Sequence, residues 1–307
     1  MHKLKTTIMK HNSLILSILL TAVAVTGCNL SEAIGEAPKV PIHITSTLTK
    51  VSGDFFVESD CIGLYTVNAA KHANDGQTSS VLLSHGNHID NAKFTYSKGK
   101  WTSDKEYYWK DDKTKADFYC YHPYKSDIQN VESVSFAVAT DQSSKAAFES
   151  AEILWGRVAL KSPTADAVNI TCTHEMSQLL IEIKPGKGFT AETLAQAISA
   201  VTVNNIQCNA VLNLKNGELR ADGPKRDIKP YYDGTLYRAF IVPQTVANEA
   251  LVTIDIDGGK RTLVSSVSFQ SNSRKKCTII INKIHEGINV GIGGWEDDGI
   301  DYGGTLN

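Results

Sequence analysis

The chain has no Cys-x-x-Cys pair, no Gly-x-Ser-x-Gly elbow, no Gly-x-x-x-x-Gly-Lys loop and no arginine before Arg157. The first absence removes the common zinc and redox frameworks. The next two remove a serine-hydrolase nucleophile and a phosphate cradle. Cysteine is scarce: beyond residue 28 there are only Cys61, Cys120, Cys172, Cys208 and Cys277, odd in number and widely spaced. No disulfide framework is indicated. Neighbours such as Phe118, Tyr119 and Tyr121 around Cys120 point to reduced thiols packed as small hydrophobes. Basic residues are not in excess, 31 Lys and Arg against 33 Asp and Glu, and no basic stripe stands out, which excludes nucleic acid as a partner.

Long apolar runs are also missing, with one exception. Residues 14–25 are uncharged and largely apolar, follow Lys3, Lys5 and Lys10, and end in Val25-Thr26-Gly27-Cys28. The run falls short of the about 20 apolar residues a bilayer span needs, and its basic start and small-residue end are those of a secretory signal. A cysteine directly after Thr-Gly resembles the lipobox of bacterial lipoproteins, which makes Cys28 the expected lipid attachment site and residues 1–28 a lipoprotein signal peptide. Met9 offers an alternative start for a more compact signal. Removing the first 28 of 307 residues takes three lysines and no carboxylate, so the formal charge of −2 becomes about −5. Membrane contact of the mature chain then runs through the lipid on Cys28.

After a polar tether at 29–39, strands dominate. Val40, Ile42, Ile44, Ser46 and Leu48 alternate with Pro41, His43, Thr45, Thr47 and Thr49, the period of a strand with one buried face. Further strands are expected at 61–67, 93–96, 116–121, 133–139, 169–172, 179–184, 200–203, 211–214, 236–243, 251–257, 261–269 and 276–284. Turn signals lie between many of them: Lys98-Gly99, Asn216-Gly217, Asp222-Gly223-Pro224, Asp233-Gly234 and Asp257-Gly258-Gly259. One helix is predicted over 190–198, with Thr190 as N-cap and Leu194, Ala195 and Ile198 on one face; residues 142–151 hold a helical turn. Many short strands with little helix give an all-β chain. Its length favours two tandem β-sandwich domains, 29–164 and 165–295, followed by a flexible acidic, glycine-rich tail at 296–307.

Motifs for chemistry are thin. His174-Glu175 opens like a zincin motif, but Gln178 stands where the second histidine ligand would be. His85 and His88 flank Gly86-Asn87 with only Asp90 nearby, a solvated loop rather than a metal site. Gly291-Ile292-Gly293-Gly294 has no helix after it and is not a dinucleotide fingerprint. No catalytic residue, metal or cofactor is therefore assigned, and the chain reads as not an enzyme. The aromatic cluster Trp101, Tyr107, Tyr108, Trp109, Phe118, Tyr119, Tyr121 and Tyr124 admits two readings. Trp101 and Trp109 could stack on a glycan, or the alternation within 118–121 could place one set in the core.

A set of phrases runs through nearly the whole mature chain: Asp60-Cys61-Ile62-Gly63-Leu64-Tyr65, Trp101 with Tyr108-Trp109, and Ala116-Asp117-Phe118-Tyr119-Cys120-Tyr121-His122-Pro123-Tyr124. Thr140-Asp141-Gln142-Ser143, His174-Glu175-Met176-Ser177-Gln178-Leu179, Val242-Pro243-Gln244 and Gly294-Trp295 follow. In order and spacing these resemble the Bacteroidales fimbrillins, the major-fimbria subunit family of type V pili. The resemblance implies transthyretin-like sandwiches and export as a lipoprotein to the outer membrane. It also implies polymerisation by strand addition once a protease removes the lipidated segment with the first strand.

On that basis the removable strand carries Val40, Ile42, Ile44 and Leu48. The best-known members are cut after arginine; here the residue after the strand is Lys50, so the expectation is cleavage after Lys50 or by a protease of other specificity. The donor strand carries either Cys277, Ile279 and Ile281 or Ile288, Val290 and Ile292. The implied function is a structural or accessory subunit of a cell-surface fimbria. Its partners would be other fimbrial subunits, and the outer membrane through the precursor's lipid. The alternative is a glycan-binding surface lipoprotein or tip adhesin, with host or bacterial glycans or proteins as partners.

Overall fold

The computed structural model describes residues 39–48, 56–71, 76–284 and 287–296. Cys28, Lys50, the signal segment and residues 297–307 of the tail lie outside the described residues. In chain order the first elements are β1 (Ile44–Leu48), β2 (Cys61–Asn68), β3 (Ala70–Lys71), β4 (Thr78–Ser79), β5 (Ile89–Ser97) and β6 (Lys100–Thr102). They continue with β7 (Ala116–His122), β8 (Val134–Ala137), α1 (Lys145–Ser150), β9 (Leu154–Lys161) and β10 (Val168–His174). Then come β11 (Ser177–Pro185), α2 (Ala191–Ala197), β12 (Ile198–Leu212), β13 (Leu219–Ile228) and β14 (Tyr231–Tyr232). The last are β15 (Tyr237–Ile241), β16 (Gln244–Ile256), β17 (Gly259–Phe269), β18 (Ser273–Ile284) and β19 (Gly287–Glu296). The chain is all-β with two short helices, as its alternating pattern requires.

One seven-stranded sheet has the order β1-β10-β9-β7-β2-β5-β6, and in it only β1 runs parallel to its neighbour. Two five-stranded sheets follow. One is β14-β15-β11-β18-β19; the other is β13-β12-β16-β17 with β8 added along β12. These two face each other across a core that includes Leu179, Ile181, Val203, Ile206, Ile254 and Ile279. Helix α2 begins at Thr190, whose hydroxyl accepts from the Thr193 amide while the Thr193 hydroxyl accepts from the Thr190 amide, a reciprocal cap. Its Leu194 is buried in the same core.

The central strands β2 and β7 are buried on both faces. Ile62, Leu64, Phe118 and Cys120 enter one cluster, with Phe94, Trp109 and Ile170. Tyr65, Val67, Tyr119 and Tyr121 enter another, with Phe148, Met176, Leu212, Phe240 and Val242. The expectation that only one set along 118–121 is in the core is thus corrected. Later elements cover the second face, so both sets are buried. β12 spans the junction, with Val203 and Ile206 in the sandwich core and Ala210 and Leu212 in the middle cluster. It is one strand where two were expected. The strand continues past 203 through a bulge between Val203 and Ile206, with Asn205 at φ 61°. Similarly Asp222-Gly223-Pro224, expected as a turn, is an irregularity inside edge strand β13, where a proline is tolerated.

Gly156 of β9 lies opposite both Cys120 of β7 and Cys172 of β10. A Cβ there would stand 2.5 Å from the Thr171 carbonyl and 3.1 Å from Cys172 Sγ. Just beyond β10, Glu175 is 8% exposed and accepts from the Thr173 hydroxyl at 2.5 Å. Burial pushes its carboxyl up to about 7, only partly offset by Thr173 and His174.

Two outcomes are expected. Gly156→Ala should lower unfolding stability by about 2–3 kcal/mol in urea titrations, since the obstacle is backbone; a loss under about 0.5 kcal/mol would contradict the packing. Because the folded pKa of Glu175 is raised, its favourable contribution is complete below the ordinary carboxylate pKa and fades as pH rises through about 7. Glu175→Gln should therefore stabilise by on the order of 2 kcal/mol at pH 8 and change little at pH 4, as read from paired thermal melts.

Candidate functional site at the first strand

The segment from Val40 to β1 is an edge slat held on both sides. β1 pairs in parallel with β10, Ile44 opposite Val168 through Leu48 opposite Cys172. The residues before it pair with the chain that follows β6. The Ile42 amide donates to the Tyr107 carbonyl at 2.7 Å, and the Trp109 amide donates to the Val40 carbonyl at 2.9 Å. Ile42 and Ile44 are each 5% exposed and sit in the cluster of Phe94, Trp101, Trp109, Phe118, Val168 and Ile170; Val40 packs at its margin. Burying two such side chains contributes roughly 2–3 kcal/mol each. The backbone of Leu48 belongs to β1. Lifting this slat would leave an apolar slot and an unpaired β10 edge, the condition in which a sheet recruits another strand.

Under the slat lies a pair of thiols. The Ser46 hydroxyl is 3.5 Å from Cys172 Sγ, which is 3.8 Å from Cys120 Sγ. All five cysteines among the described residues are free thiols, and only Cys61 is partly exposed. Burial pushes Cys208 and Cys277 up to about 11, which suppresses thiolate chemistry.

The structure separates the two donor-strand candidates. β18 is a central strand between β11 and β19, and Cys277, Ile279 and Ile281 are buried in its own sandwich. That candidate is corrected, because β18 cannot leave without dismantling the core. β19, which carries Ile288, Val290 and Ile292, is an edge strand paired only with β18 among the described residues. Other edges are blunted: β6 and β14 are short, β13 carries Pro224, Lys225 and Arg226, and β17 carries Lys260 and Arg261. β19 has ten residues, no proline and no charge before Glu296. The sequence shows its alternation but not its edge position.

The tryptophan reading is corrected as well. Trp101 is 8% and Trp109 3% exposed, and the Trp109 indole N–H donates to the Thr164 carbonyl at 3.0 Å. Trp101 packs edge-on against Phe56 and Trp109 against Phe118. Neither indole presents a face on which a sugar could stack. His174, the first residue of the zincin-like phrase, bonds to Glu152. No group of three or more metal-ligating side chains occurs among the described residues.

The family model described as fimbrillin-like matches residues 49–295. The chain belongs to the fimbrillin-like family. The match starts one residue after β1 and takes in every later strand almost to the end of β19. Among solved structures, the fimbrillin-like chain is similar to a candidate cell-adhesion protein from Bacteroides uniformis, at 20% identity and a TM-score of 0.62, covering 84% of this chain and 97% of that one. A candidate cell-adhesion protein from Bacteroides ovatus is similar at 12% identity and a TM-score of 0.66, covering 85% and 98%. A fimbrial protein from the same species follows at 19% and 0.52, covering 81% of this chain and 50% of its own. At these identities the likeness is one of fold. No curated protein sequence matches.

Thiol labelling tests the covering role of the slat. In a Cys28→Ser chain, only Cys61 should react quickly with a maleimide under native conditions. Deleting residues 40–48 should add Cys172 to the reactive set. Continued protection of Cys172 would show that something other than this segment covers it.

Proposed function

We propose that this fimbrillin-like chain is a subunit of a cell-surface fimbria that polymerises by exchanging its first strand for one from a neighbour. The precursor is exported as a lipoprotein anchored to the outer membrane through Cys28, with residues 40–49 filling their own groove. Cleavage after Lys50 removes Val40, Ile42, Ile44 and Leu48 together with the lipid. The slot is then filled by β19 of the next subunit, with Ile288, Val290 and Ile292 entering where the native side chains stood.

The observation that carries this reading is the geometry of the first strand. It is an edge element of few residues, yet it supplies two deeply buried isoleucines and, among the described residues, the only parallel pairing of its sheet. Strand addition accounts for both: main-chain bonds supply affinity, and alternate side chains fix register. In this reading two sandwich units are welded by the middle cluster, and the boundary expected between 29–164 and 165–295 falls later, after β10, which belongs to the first sheet; each subunit then passes load from slot to donor strand as one piece. The partners are other fimbrial subunits, and the residence is the outer membrane followed by the fimbria. No observation in the structure favours the glycan-binding alternative through Trp101 and Trp109.

The test is assembly of purified precursor after limited proteolysis. Trimmed chain beginning at Val51 should form a ladder of detergent-resistant oligomers on unheated gels. Lys50→Ala should block trimming, and deletion of residues 287–296 should abolish the ladder while the monomer still melts cooperatively. Oligomers made equally well by untrimmed chain, or no oligomers from a chain sequenced as starting at Val51, would overturn the reading.

A further inference from the structure

A groove of about 450 Å³ lies between the end of the first sheet, helix α1 and the start of the second sheet. Its walls are apolar, formed by Phe56, Val57, Phe148, Leu154 and Phe240. Val57 is 54% exposed there, an apolar side chain left to solvent beside an open cleft. Phe148 stacks on Phe240 at 4.6 Å, which makes that wall stiff.

Gln178 lines the groove and also a smaller pit next to it, and stands on β11 between Phe240 of β15 and Arg274 of β18. It is 9% exposed, and its side-chain oxygen is buried with no hydrogen-bond partner. A buried acceptor without a donor is costly, and a donor brought into the groove would satisfy it. What enters must bring a donor past apolar walls. The charged groups facing the groove are Asp60, Glu149 and Glu152 against Lys145, with His122 beside them; His174 and Arg274 lie in the adjoining pit. Lys145 is paired with Glu149, and His174 with Glu152. Carboxylates thus outnumber cations in the groove.

We propose that this groove receives a lysine or arginine side chain presented by a partner protein. The aliphatic stem lies along the apolar walls and the cationic head donates to the Gln178 oxygen. Those two side chains alone combine a long apolar stem with a tip that donates and does not accept, so they leave no new acceptor unsatisfied. The aromatic walls add attraction for the cation. The proposal does not rest on the fimbrial reading, because no residue of β1 or β19 lines the groove.

The test titrates the purified chain with a blocked pentapeptide, acetyl-Gly-Val-Lys-Val-Gly-amide, and with the same peptide acetylated on the lysine Nζ. Calorimetry measures affinity, and NMR follows the Gln178 side-chain amide. The lysine peptide should bind saturably, at least tenfold tighter than its acetylated form, and weaken as salt is raised. Gln178→Leu should weaken binding at least tenfold and leave Tm unchanged or higher, since it removes an unsatisfied oxygen rather than a used one. Glu149→Gln, on the surface, should weaken binding about threefold and keeps the test open if the leucine variant folds poorly. Equal binding of the two peptides, absence of saturable binding, or wild-type affinity in both variants would overturn the proposal.

Discussion

The constraint on which the structure depends is that a β-strand cannot leave its edge bonds unmade beside an apolar core without inviting another strand. The first sheet meets it with its own N-terminal segment. That segment bonds to β10 on one side and to residues 107–109 on the other, while Ile42 and Ile44 seal the core between. Each contribution is modest alone. Together they make a short segment at the start of the fold the cover of a whole cluster.

The second feature is how the rest resists movement. β2 and β7 are packed on both faces, so the first sheet has no solvent-facing centre. The middle cluster takes Tyr65 and Tyr121 from that sheet, Leu212 and Phe240 from later strands and Val242 from the link between β15 and β16. β12 crosses from one core to the other, and β8 pairs along its far end. On the proposed reading, a sheet fixed in this way keeps its shape when the edge slat is removed, as an acceptor groove must. Polar support follows the same logic. The buried Asp117 carboxylate accepts from Arg157 at 2.6 Å and from the Leu160 amide at 2.7 Å, so the charge inside the sheet is answered locally.

How much of this was legible in the sequence depended on whether a feature is local. The alternation that buries Ile42 and Ile44 and the Thr190 cap are local, and they appear where the pattern placed them; of the face expected on α2 only Leu194 is buried, while Ala195 is exposed and Ile198 already begins β12. Two-sided burial is not local. Phe118-Tyr119-Cys120-Tyr121 is compatible with one buried face, and only the later strands decide that both are covered. An irregular strand misled: Asp222-Gly223-Pro224 carries turn chemistry, yet it lies within β13 instead of ending it. The same limit applies at the site. Alternation marks Cys277, Ile279 and Ile281 as readily as Ile288, Val290 and Ile292, but only topology tells a central strand from an edge strand. Trp101 and Trp109 look like a platform in sequence, and their burial comes from strands far away in the chain. Gln178 carried a signal that was read only as a missing metal ligand; its unsatisfied oxygen is visible only once Phe240 and Arg274 are placed beside it.

The central claim is that the first strand is a replaceable cover on β10. Amide hydrogen exchange across β10 (Val168–His174) tests it most directly, measured on the intact chain, on monomer trimmed after Lys50, and on the assembled polymer. The account predicts slow exchange in the intact chain, fast exchange in the trimmed monomer, and slow exchange again in the polymer. Exchange at β10 that stays slow when the first strand is gone would contradict it.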